Sequence, residues 1–70
     1  MSPRTPRLTS EQMCRLLERE GFAAVSQKGS HRKYRHPDGR TTIVPMGKDP
    51  LRPGTQADIL RQAGITDLQS

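Results

Sequence analysis

The sequence predicts a small α+β domain with the element order α-β-β-β-α. Three observations carry that expectation. A capped apolar stripe of helical period opens the chain, alternating residues broken by two short turns fill its middle, and a helical stripe returns after a proline-rich loop. With 70 residues, 30% of them apolar, the chain buries only ~60% of its unfolded surface, so one domain is expected.

The first helix is read over Ser10 to Glu20. Thr9 followed by Gln12 makes a capping box, and Leu8 before the cap can pack on Met13 as a hydrophobic staple. Met13, Leu16 and Leu17 form the apolar stripe, and Gly21 offers a left-handed ending with Phe22 placed against Leu17. Three strands follow, over Phe22 to Lys28, His31 to His36 and Arg40 to Val44. Gly29-Ser30 and Pro37-Asp38-Gly39 separate them, connections short enough for hairpins. A loop is expected from Pro45 to Pro53. The second helix is read over Gln56 to Ala63, with Thr55 as N-cap, Asp58 in the capping-box position, and Ile59, Leu60 and Ala63 as its stripe. The chain thus divides into a flexible basic arm (1–7), one domain (8–66) and a polar tail (67–70).

A three-stranded antiparallel sheet this thin is covered on one face, by both helices, which leaves the other face open. Twelve Lys and Arg against seven Asp and Glu give a net charge of +5, which suits a polyanionic partner such as nucleic acid or an acidic protein. One cysteine, Cys14, cannot form an internal bridge and is expected to be a packing residue of a reduced, cytoplasmic protein. No apolar run is long enough for a membrane span or a signal-peptide centre. Cys14 and two histidines make no convincing zinc set, so neither metal nor cofactor is expected.

Alternation along the second strand puts His31, Lys33 and Arg35 on one face and Arg32, Tyr34 and His36 on the other. Tyr34 is the one residue there large and apolar enough for the core. His31, Lys33 and Arg35 therefore belong to the open face, directly after the turn Lys28-Gly29-Ser30. Such a surface can hold a phosphodiester, since cations neutralise it, amides at a glycine turn donate to its oxygens, and an imidazole moves a proton near neutral pH. RNA brings its own nucleophile, the 2′-hydroxyl. The same surface could equally belong to a non-catalytic RNA-binding module, or to a basic domain that docks an acidic protein. His31 separates these readings, because pure binding does not need an imidazole. His36, beside Pro37-Asp38-Gly39, reads as a turn side chain. Lys48 and Arg52 read as solvated charges, with an anion site before Gly54-Thr55 as the functional alternative.

Gly29-Ser30-His31 with Tyr34 three residues on, then His36-Pro37-Asp38-Gly39, Val44-Pro45, and Pro53-Gly54-Thr55 leading to Ile59 through Ile65, resemble the HicA family. The likeness runs from Leu8 to Ile65 and includes Gly21-Phe22. It implies a fold like the double-stranded-RNA-binding domain, whose element order is the one read above. It also implies a toxin that cleaves mRNA, arrests growth, and is neutralised by a HicB-type antitoxin. The family's catalytic histidine matches His31, and the reading of the open face adds Lys28, Gly29, Ser30, Lys33 and Arg35 around it as phosphate-binding residues. Many members carry a further histidine two residues after the Val-Pro pair. Here Met46-Gly47 follows Pro45, which leaves Lys33, Lys28 or water to protonate the leaving oxygen. The resemblance also favours Thr42 and Val44 as inward residues, so that Ile43 is the exposed apolar side chain of the third strand.

Overall fold

The computed structural model describes residues 7–65, so the tail and all of the arm except Arg7 lie outside the described residues. Helix α1 (Ser10–Arg19) leads into β1 (Ala23–Lys28), β2 (His31–Arg35), β3 (Thr41–Pro45) and α2 (Pro53–Ala63), the order read from the sequence. The strands form one antiparallel sheet in the order β1-β2-β3. This is the α+β architecture of the double-stranded-RNA-binding type.

Helix α1 begins with the full capping box. The Thr9 hydroxyl accepts from the Gln12 N–H at 3.1 Å, and the Gln12 side chain accepts from the Thr9 N–H at 2.9 Å. Its end also follows the sequence: Gly21 has φ +98°, and the Phe22 N–H returns to the Leu17 carbonyl at 2.9 Å. The second helix differs. It starts at Pro53 with Arg52 as N-cap, one turn before the expected Thr55 cap. The reason is local. Proline's fixed φ suits the first helical position, and it lacks the N–H that would go unpaired there. The first intrahelical bond, Gln56 N–H to Arg52 carbonyl at 2.8 Å, follows at once. Asp58, freed from capping, pairs with Arg61 at 2.7 Å.

The core is small and lies between the helices and one sheet face. Met13, Leu17, Tyr34, Val44, Leu51 and Ile59 are almost wholly buried, with Phe22, Cys14, Leu60 and Ala63 around them. Both helices lie against β3, α2 the more extensively. Strand β1 is exposed along its whole length. The helical cover therefore stops short of it, with the main contacts of both helices falling on β3 at the other edge of the sheet. A register shift between Ala24 and Ser26 bulges this edge strand at Val25, a distortion that discourages pairing with another chain.

Polar anchors tie the long connection after β3 to the domain. Ser10, buried at the start of α1, donates its hydroxyl to the Pro45 carbonyl (2.6 Å) and accepts from the Lys48 N–H (2.8 Å). The Leu51 N–H donates to the Leu8 carbonyl, and the Leu8 N–H donates to Gln56 Oε1, both at 2.7 Å. Arg7 donates twice to the Leu51 carbonyl, so the chain is fastened from that residue onward.

Candidate active site

Cross-strand pairing fixes which side chains share the open face. Lys28 faces His31, which faces Pro45; Ser26 faces Lys33, which faces Ile43; Ala23 faces Arg35, which faces Thr41. Tyr34 and its partner Thr42 belong to the helix side and are buried, as is Val44 opposite Arg32. His31, Lys33 and Arg35 are exposed, and Ile43 stands 48% exposed among them, the orientation expected of each.

The turn before His31 has a defined shape. Gly29 takes φ +59° while Ser30 stays at negative φ, the signature of a type II′ hairpin with glycine first. A side chain on Gly29 would meet nothing within 4 Å, so its backbone is open to an approaching ligand. Both sides of the turn are pinned. Gln27 donates its amide to the Gly29 carbonyl (3.1 Å) and accepts from Arg32 Nε (2.9 Å), and the Met46 N–H donates to the Ser30 carbonyl (2.6 Å).

Ser26, Lys28, His31, Lys33 and Ile43 line one shallow hollow of about 380 Å³. The structure thus gathers His31, Lys28 and Lys33 and leaves Gly29 and Ser30 at the hollow's rim. Arg35 shares the face but lies two rungs further along, about 13 Å from His31 at the rise of a strand. Among the described residues, the side chains of Lys28, His31, Lys33 and Arg35 carry no hydrogen bond or ion pair. None of the strands contains an Asp or Glu, so no acid stands beside these charges within the sheet. Unneutralised cations around an exposed imidazole can seat an anion and pass a proton beside it.

The remaining candidates serve the framework. His36 packs its ring edge-on against Phe22 at 5.2 Å, and its Nδ1 accepts from the Asp38 N–H at 3.1 Å, the turn role expected of it. Cys14 is buried with its Sγ 3.6 Å from Met46 Sδ. The Asp38 carboxyl is held below its ordinary range, chiefly because the Arg40 backbone N–H donates to it. Burial is the main cause that pushes the Tyr34 phenol up to about 12, and its hydroxyl donates to Glu18 at 3.1 Å.

Sequence reasoning missed Arg40. Its guanidinium bonds Asp38 at 2.8 Å, lies over the Phe22 ring at 5.3 Å and donates to the Ala63 carbonyl. One side chain thus joins the β2–β3 turn to the end of α2. An arginine after Asp-Gly carries no signal that separates it from a solvated turn residue.

A thin sheet with its helices on one side and an exposed basic surface on the other defines a small α+β domain of the double-stranded-RNA-binding type. The model of the family described as the HicA toxin of bacterial toxin–antitoxin matches residues 10–65, and the chain belongs to that family. No curated protein matches the chain. Among the described residues, no helix is long and apolar enough to cross a membrane.

Proposed function

We propose that the protein is an endoribonuclease toxin that cuts mRNA with His31 as general base, and that a HicB-type antitoxin neutralises it by covering the open sheet face. The observation that supports this reading best is the hollow in which an exposed, unpartnered His31 stands between Lys28 and Lys33. Family membership supplies the toxin class. His31 takes the proton of the RNA 2′-hydroxyl, which attacks the adjacent phosphorus. Lys28 and Lys33 neutralise the charge that builds on the phosphate oxygens, and the Gly29-Ser30 turn lets the RNA backbone come close. Arg35 meets a neighbouring phosphate along the same face. Lys33, Lys28 or water returns a proton to the leaving 5′-oxygen, so the products end in 2′,3′-cyclic phosphate and 5′-hydroxyl. No metal takes part in this scheme.

His31→Ala tests it. Transcript cleavage falls by about 10²–10⁴, the usual share of a general base. Thermal stability changes by no more than about 0.5 kcal/mol, because the residue is exposed and unbonded. Cleavage by the wild type in EDTA, with cyclic phosphate at the new ends, completes the expected result. A folded His31→Ala protein that cuts at the wild-type rate would remove His31 from the mechanism.

A further inference from the structure

A second depression, about 900 Å³ in volume, begins at His31 and Lys33 and wraps round the free edge of β3 to reach Lys48, Arg52 and Thr55. Its far end carries two cations, Lys48 and Arg52, with Asp49 next to Lys48 in the chain. Lys48 and Arg52 have no side-chain partner among the described residues. The acid that lines the groove, Asp58, is already bound to Arg61. Its inner wall is closed where the Thr42 hydroxyl donates to Gln62 Oε1 at 2.7 Å. The loop that carries Lys48 and Arg52 is held in place by Ser10 and by Leu8, so its backbone positions both side chains along the groove.

Backbone pairing limits what the edge itself offers. The His36 N–H bonds the Arg40 carbonyl and the Met46 N–H bonds the Ser30 carbonyl, and in the observed register Thr42 and Val44 fall in step with these two, turned toward β2. Thr41, Ile43 and Pro45 therefore turn outward. Pro45 has no N–H, and its carbonyl is taken by Ser10. Only Thr41 and Ile43 present free backbone groups, too short a stretch to receive an added strand from a protein partner. Cations spaced beyond a short edge suit a phosphodiester chain better.

We propose that this groove carries one flank of the RNA beyond the cut, with Lys48 and Arg52 holding the phosphates that follow the one at His31. The inference rests on the ribonuclease reading above and extends it: the substrate is a single strand several nucleotides long, drawn round the β3 edge. Past His31 the groove has aliphatic walls at Ile43 and Ile59 and no Phe, Tyr or Trp ring, so bases find no stacking platform along that stretch and the protein grips the backbone.

Lys48→Ala combined with Arg52→Ala tests it, with thermal melting as the check on folding. Cleavage is compared on a dinucleotide and on a twelve-nucleotide unstructured RNA. The wild type gains rate on the longer substrate, whereas the double variant matches it on the dinucleotide and loses the gain. In the His31→Ala background, where cleavage is slow enough for binding to be read, binding of the longer oligonucleotide at about 50 mM salt weakens by about tenfold or more. The log–log salt slope becomes shallower by about 1.4, or 0.7 for each phosphate no longer neutralised. Equal rates and slopes for wild type and double variant on the longer RNA would overturn the groove. So would an equal loss on both substrates, or unchanged RNA binding with weakened antitoxin binding. If the wild type cuts neither RNA, the ribonuclease reading fails by itself, and the salt slope still decides whether the groove holds RNA.

Discussion

The two faces of the sheet are made by the same strands, residue by alternate residue, yet they obey opposite rules. On the helix side, Tyr34, Thr42 and Val44 are nearly inaccessible, and the side-chain hydroxyls there are paired: Tyr34 with Glu18, Thr42 with Gln62. On the open side, Lys28, His31, Lys33 and Arg35 are exposed and their side chains pair with nothing among the described residues. Buried, paired side chains and exposed, unpaired ones are thus separated by one step along the strand. A change on the inner face should act through folding, and one on the outer face through function with the fold intact.

The largest break in that comparison on the stability side is Leu17→Ala. Leu17 is fully buried at the centre of the core, so truncation costs about 2–5 kcal/mol. In a domain of this size that lowers the melting temperature by ~10 °C or more. Calorimetry checks it, and a shift of only a degree or two would show that the core tolerates a cavity there.

On the outer face, Lys33→Glu with Arg35→Glu should leave the melt almost unchanged while association with an acidic antitoxin slows by about tenfold or more at low salt. Stopped-flow binding over a range of salt concentrations measures both the rate and its flattened salt dependence. Unchanged kinetics would move the docking surface away from this face.

The finest test sharpens the inner side. The buried Tyr34 phenol is pushed up to about 12, whereas an unfolded tyrosine titrates near 10. Between those values the unfolded chain loses a proton that the native state retains, so stability falls as pH rises from about 10 to 12. Tyr34→Phe removes that slope. Urea midpoints measured across this range should decline for the wild type and stay flatter for the variant, once the other titrating groups common to both are subtracted.

Much of this separation is legible in the residues. Tyr34, as the lone bulky side chain of β2, sets the inward register, and His31, Lys33 and Arg35 follow by alternation. Thr9 and Gln12 announce the start of α1 because a capping box joins residues three apart. Thr55 misleads about the start of α2, because Pro53 and Gly54 look like loop residues until a helix is known to follow them. Ser10 and Leu51 are invisible as anchor and core for a different reason. Ser10 bonds Pro45 and Lys48, and Leu51 bonds Leu8, partners many residues away in the chain.

What the sequence determines by itself is therefore what short-range geometry controls: caps, the glycine turn, strand alternation, and the histidine that alternation and family likeness both single out. The tertiary structure decides how far the helices cover the sheet, where Arg40 clamps the end of α2, and that Lys48 and Arg52 share a groove with His31. Hydrophobic periodicity names the face a residue buries but not the neighbour it meets. That neighbour is set by how the two helices settle over β3 and leave β1 exposed.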